Sequence, residues 1–298
     1  MLVLSQRSYR SNSCAWVFLA LSIVNLISLI SGLITVMIGG WTDNPANYIG
    51  VVCKLRAFLV FSTRTMAMWL IVLATVDRWL LSSFDVHRRQ KSSLKNVQRG
   101  TVVIVILSLL LYAQQLYCYD ANRMDTPLKC YGTTNVCRNF TDLSLVIVTV
   151  TIPLILMVLF GLLIISNVHQ SRRRIQILTL QNAKSTMDKS LPASTGDADG
   201  KSKQKIEHSL LRMLFFQVIL MTIFTIPLCL DKFYSSFSGD NGSKVEMAIN
   251  MFVYDLAILI YDISNGIPFY IYTLCGGTVF RKALHNFIIS MKLKFRCH

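Results

Sequence analysis

The chain has 298 residues, of which 53% are hydrophobic and only 15% charged. Soluble globular domains carry about a quarter charged residues, so this composition excludes an ordinary water-soluble enzyme and points to a membrane protein. The formal net charge is +15, yet the basic residues lie in alternate connections between apolar runs, an arrangement that argues against a nucleic-acid partner.

Six apolar runs predict membrane spans, over about 14–37, 56–80, 97–118, 143–167, 209–230 and 247–274. Most meet the roughly 20 residues needed to cross hydrocarbon. A large soluble helical protein would have to bury each of them nearly all round. The first run follows Arg7 and Arg10, with Ser11, Asn12 and Ser13 as candidate caps. Its Asn25 either bonds a neighbouring helix or belongs to a water or ion network.

The second run carries Arg64 well inside it, too deep to snorkel out easily. Arg64 is expected either to pair with Asp255 or Asp262 of the sixth run or to meet an anionic or carbonyl group of a ligand, and the two uses can alternate. The same run ends in Asp77-Arg78-Trp79, where apolar sequence gives way to basic sequence. A charged pair at a water–lipid boundary is placed to act as a switch. Pro153, Pro227 and Pro268 fall in the last three runs and invite kinks, as hinges or as ordinary membrane-helix composition. Residues 170–208 turn polar and read as a disordered cytoplasmic loop, with Arg172, Arg173 and Arg174 near its start. After Cys275-Gly276-Gly277, residues 276–298 space Val279, Phe280, Leu284, Phe287 and Ile288 as an amphipathic helix on an anionic inner leaflet.

The leader, the 85–99 connection, the 170–208 connection and the tail are basic, whereas 39–52, 119–142 and 231–246 are close to neutral. This alternation places the basic segments in the cytoplasm. The sequons at Asn139 and Asn241 both fall in connections assigned outside. Cys130 and Cys137 lie in an outside loop, with Cys118 at its edge and Cys53 near the outer end of the second run, where an oxidising compartment permits a bridge. Six spans account for two cytoplasmic ends; alternatively an N-terminal span is absent from this sequence. Enzyme chemistry is not signalled: there is no GxxxxGK[ST], HExxH or GxSxG motif, all five histidines fall in cytoplasmic segments, and no cofactor or metal site is expected.

Taken together, these residues resemble a rhodopsin-like seven-helix receptor coupled to G proteins, closest in style to invertebrate FMRFamide and other neuropeptide receptors. The resemblance covers nearly the whole chain but lacks the family's first helix, so the fold expected is an all-α, seven-transmembrane-receptor-like bundle with six spans present. By this resemblance, Asp77-Arg78-Trp79 matches the Asp/Glu-Arg-Tyr motif, with Asp77 restraining Arg78 at rest and Arg78 swinging toward the G protein. Cys53 takes the place of the family's disulfide cysteine, with Cys130 or Cys137 as partner. Pro153 and Pro227 match the family's helix prolines, and Tyr272 is the candidate switch tyrosine.

Departures accompany the match. Asn25 replaces the usual Asp, Thr225 stands where an aromatic switch is usual, and Asn265-Gly266-Ile267-Pro268 alters the Asn-Pro motif. Asn25, Asp262 and Asn265 form the expected interior polar network. Val60 occupies the amine-binding position, which disfavours a monoamine, so Val60, Arg64 and Asp255 are the ligand-binding candidates for a peptide with a carboxylate or amide contact. The implied partners are a heterotrimeric G protein, an extracellular peptide and membrane lipids, at the plasma membrane. An ion-coupled or small-solute transporter and a truncated, non-signalling receptor relative are the alternatives.

Overall fold

Ser13 opens α1 (Ser13–Leu29), which widens into a π-helical turn at Ile30–Ile34. The computed structural model of the protein describes residues 13–34, 45–83, 85–122, 130–185, 215–216, 218–231, 234 and 244–275. A short 3-10 turn at Pro45–Asn47 leads into α2 (Gly50–Ser82), a 33-residue helix without internal Pro or Gly. At about 1.5 Å per residue α2 is about 50 Å long, more than the roughly 30 Å of a hydrocarbon core. The chain then forms α3 (Val86–Lys91), capped by the Asp85 carboxylate, and α4 (Leu94–Tyr112), capped by the Ser93 hydroxyl. One more turn, α5 (Gln115–Cys118), carries α4 to the start of a small hairpin.

The hairpin pairs β1 (Tyr119–Asp120) antiparallel with β2 (Tyr131–Gly132), Tyr119 opposite Gly132 and Asp120 opposite Tyr131. Asn122 leaves β1 with φ 65°, a left-handed conformation that Asn tolerates better than most residues, and its N–H donates to the Asn47 carbonyl at 2.9 Å. Next come α6 (Asn135–Ser144), a π-helical stretch at Leu145–Thr151, and α7 (Ile152–Ser185). Two further helices are α8 (Val218–Asp231) and α9 (Lys244–Cys275).

The core forms around α2. Of its apolar window 67% is buried, against 22% for Leu94–Cys118, so α2 is the central column and α4 lies at the rim. Met68, Leu70, Ile71 and Ala74 of α2 share one cluster with Phe18 and Leu21 of α1, Val97 of α4, Met157 of α7 and Met221 of α8. Close approach of α4 is set at Gly100, where a Cβ would stand 3.1 Å from a Leu73 methyl. Outward, Val102, Val103, Ile106, Leu107 and Leu110 of α4 and Ile155, Leu159 and Leu162 of α7 are exposed. Apolar faces of that extent mean lipid contact, not water.

The expected count of six spans is corrected. Among the described residues four helical segments are long and apolar enough to cross a membrane: Ala15–Gly32, Gly50–Ser82, Leu94–Cys118 and Asn135–Asn167. Val218–Asp231 is, within the described residues, an apolar but shorter helix. Lys244–Cys275, a 32-residue helix that contains Asp255 and Asp262, is not among those four. Four such helices make the chain a multi-pass membrane protein. The polar loop expected from 170 starts as helix, because α7 continues to Ser185. The amphipathic helix expected over 276–298 lies outside the described residues.

Candidate functional site

Within α2, Arg64 points into the bundle and is 6% exposed. Its guanidinium meets the Asp262 carboxylate of α9 at 3.2 Å and lies over the Tyr261 ring at 4.7 Å. A buried guanidinium without a counter-charge is costly, and the carboxylate and the ring face supply one together. Close packing of α1 leaves room for the pair: a Cβ on Gly32 would stand 3.9 Å from Asp262 Oδ2 and 4.0 Å from Val60. Val60 therefore lines the same space. Arg56, two turns nearer the start of α2, is within electrostatic reach of Tyr254, Arg64 and Asp262. Arg64 is the arginine that pairs with this buried aspartate.

Beside Arg64, Thr65 and Tyr112 both reach the Thr149 hydroxyl, at 2.6 and 2.9 Å. Phe61 stacks on Tyr112 at 5.7 Å and tilts against Tyr119 of the hairpin at 6.1 Å. The hairpin is tied down twice, by Cys53–Cys130 to the start of α2 and by Cys118–Cys137 to the start of α6. Of the two partners left open for Cys53, Cys130 takes the bond, and Cys137 closes on Cys118.

Thr149 is presented by the π-helical stretch that ends two residues before Pro153. In π register the Ile152 N–H bonds the Ile147 carbonyl, and the next donor along would be residue 153, which as Pro has none. The Val148 carbonyl is thereby freed, and the Trp69 indole N–H of α2 donates to it at 3.1 Å. A backbone defect in one helix becomes a hydrogen bond between two.

At the other end of α2, Asp77 is 2% and Arg78 3% exposed. The Asp77 carboxylate accepts from the Ser13 hydroxyl of α1 at 2.7 Å and from the Ser92 hydroxyl between α3 and α4. Trp79 packs on Phe160 of α7 at 5.2 Å, and Arg88 of α3 lies over its ring at 5.8 Å. Asn167 of α7 donates to the Ser82 hydroxyl at 3.2 Å. Arg64 and Arg78 are separated by about 21 Å along the helix, at about 1.5 Å per residue.

The other candidates are placed as follows. Asn25 is buried in α1, away from the Arg64–Asp262 pair in sequence by the turn that carries Gly32. Asp255 is exposed on α9 and Asp262 buried, so only Asp262 joins Arg64. The two share a helical stripe, but at the Asp262 level α1 and α2 close over it. Pro227 lies in α8, where Thr225 is buried and returns its hydroxyl to the Met221 carbonyl at 2.6 Å. Asn139 is exposed on α6. Asn265, Pro268 and Tyr272 belong to α9, but their side chains, like Asn241, lie outside the described residues. Sequence reasoning did not find Arg56, Tyr112, Thr149, Tyr261 or Ser92, and read Ser13 only as a candidate cap, not as a partner of Asp77. For Thr149 the signal was present, in a polar residue four positions ahead of an in-helix Pro.

A family model described as 7 transmembrane receptor (rhodopsin family) matches residues 1–265. No curated protein matches the chain.

Proposed function

The chain belongs to the rhodopsin family of seven-transmembrane receptors, and from that premise we propose that it is a plasma-membrane receptor for an extracellular neuropeptide that activates a heterotrimeric G protein. As a member of that family it is a receptor and not an enzyme. The observation that carries the ligand reading is the buried Arg64–Asp262 pair. A peptide carboxylate or amide carbonyl suits the Arg64 guanidinium, and such a group competes with Asp262 for it. Val60 and Tyr261 supply apolar and aromatic wall beside it.

The coupling reading rests on Asp77 and Arg78. Both are buried at the end of α2 that runs into the basic 85–99 connection, the side assigned to the cytoplasm by its charge. Asp77 holds Arg78 at rest and Arg78 engages the G protein on activation; Trp79, Pro227 and Tyr272 complete the switch. Basic segments on this side also hold anionic inner-leaflet lipid.

A screen of amidated neuropeptides against cells expressing the chain tests the function, read as second-messenger release. In the responding pair, Arg78→Ala is expected to abolish signalling with ligand binding kept. Unchanged signalling by a surface-expressed Arg78→Ala variant removes Arg78 from the switch. Arg64→Gln is expected to weaken binding of the same peptide about tenfold or more, the loss of one charge-assisted contact.

A further inference from the structure

Ser92 is a modification site: we propose that a kinase selecting basic substrates phosphorylates it, and that the phosphate releases Asp77 from the loop. The inference rests on the reading that the 85–99 connection faces the cytoplasm. Three observations meet at this residue. Ser92 Oγ donates to the buried Asp77 carboxylate, so its hydroxyl belongs to the switch and not only to the loop. The preceding residues read Arg88-Arg89-Gln90-Lys91, which sets Arg89 three positions and Lys91 one position ahead of Ser92, with Lys95 behind. A kinase with acidic subsites recognises such a serine by charge. Finally, Val86–Lys91 is a six-residue helix with all its residues exposed. A helix that short is marginal on its own, so the segment opens readily into an extended substrate.

In the transfer, Ser92 Oγ attacks the γ-phosphorus of a nucleoside triphosphate. The bond from that phosphorus to the bridging oxygen breaks, the diphosphate leaves, and the hydroxyl proton passes to the kinase's base. The product has lost the donor that Asp77 accepted and carries about −1.5 to −2 charge at neutral pH. Two anions cannot share the contact that a hydroxyl and a carboxylate shared. The phosphate instead finds Arg88, Arg89, Lys91 and Lys95, Arg88 lying 3.7 Å from Asp85. Asp77 is left with Ser13. Ser93 next door behaves differently: its hydroxyl oxygen caps α4 by accepting from the Asn96 N–H at 3.3 Å, and a phosphate at a helix N-terminus preserves that role.

The test uses the full chain in lipid nanodiscs, where both faces are reachable, with ATP, magnesium and a purified kinase selective for Arg at the third position before Ser. Fragmentation mass spectrometry is expected to find phosphate on Ser92, and Arg89→Gln to slow its appearance about tenfold. Hydrogen exchange across 85–97 is expected to quicken in the phosphorylated protein. Phosphate on Ser93 but not Ser92, or phosphorylated Ser92 with unchanged exchange, overturns the proposal. A separate arm labels a cysteine introduced by Ser93→Cys in intact cells with an impermeant reagent. Labelling from outside overturns the cytoplasmic orientation while leaving the nanodisc result to judge the Ser92–Asp77 coupling.

Discussion

Arg64 and Arg78 ride on the same helix, yet their settings differ because one lies among helices and the other at an end. Arg64 is enclosed, and its partner Asp262 comes from the far end of the sequence. Removing one member leaves a buried charge alone, a change that costs about 3–5 kcal/mol where it has been measured in proteins. Asp262→Asn and Arg64→Met are therefore each expected to lower the thermal unfolding midpoint in detergent. The double variant Arg64→Met/Asp262→Leu is expected to unfold closer to the parent than either single one, since no charge then remains buried. If the double variant is as unstable as the sum of the singles, the pair is not the counter-charge assigned here. Both aspartates were visible in the sequence as candidate partners. The choice between them was not, because Asp255 and Asp262 are spaced to share one helical stripe, and only the level at which α1 and α2 close over α9 separates them.

Pro153 matters at the scale of an element. The turn before it is in π register and carries Thr149 beside Thr65 and Tyr112, and in that register the proline's missing N–H leaves the Val148 carbonyl to Trp69. Trp69→Phe keeps an aromatic ring and removes the donor, leaving a half-buried carbonyl without its bond at a cost of up to about 1 kcal/mol. In a Pro153→Ala background the helix can supply its own donor, so the same Trp69→Phe change is expected to cost less. Thermal unfolding of the four proteins of this cycle measures the difference. Equal costs in both backgrounds would falsify the link between Pro153 and Trp69. The Pro was legible as a kink or hinge; its effect on a tryptophan of another helix was not, since that contact joins residues far apart in the chain.

Across the whole molecule, the two disulfides and the small hairpin cap the end of the bundle opposite Asp77. Phe61 and Tyr119 connect that cap to Tyr112 and Thr149. The orientation proposed for the receptor puts this cap outside. Asn139 is exposed on the same side, so enzymatic deglycosylation of the expressed chain is expected to shift its mobility. Asn139→Gln together with Asn241→Gln is expected to abolish that shift. A shift that survives the double substitution places glycan elsewhere and counts against the orientation. Cys53→Ser and Cys118→Ser each open one tie of the hairpin and are expected to reduce peptide binding more than they reduce the helical content of the membrane segments, which circular dichroism reads separately.

The amino-acid order alone established a membrane protein built from apolar helices with basic alternate connections, and it marked Arg64, Asp77 and Arg78 as charges in need of an explanation. Hydropathy and charge are local properties, summed along the chain, and so they are readable there. It gave six spans where the described residues hold four helices long and apolar enough to cross, because an apolar run says nothing of how much of it forms one continuous helix. Tertiary structure decided the pairings. Asp262 and not Asp255, Cys130 and not Cys137, Trp69 on Val148, and Ser13 with Ser92 on Asp77 are all contacts between distant segments. Each depends on which helix faces lie at the same depth, and depth is a property of the packed bundle.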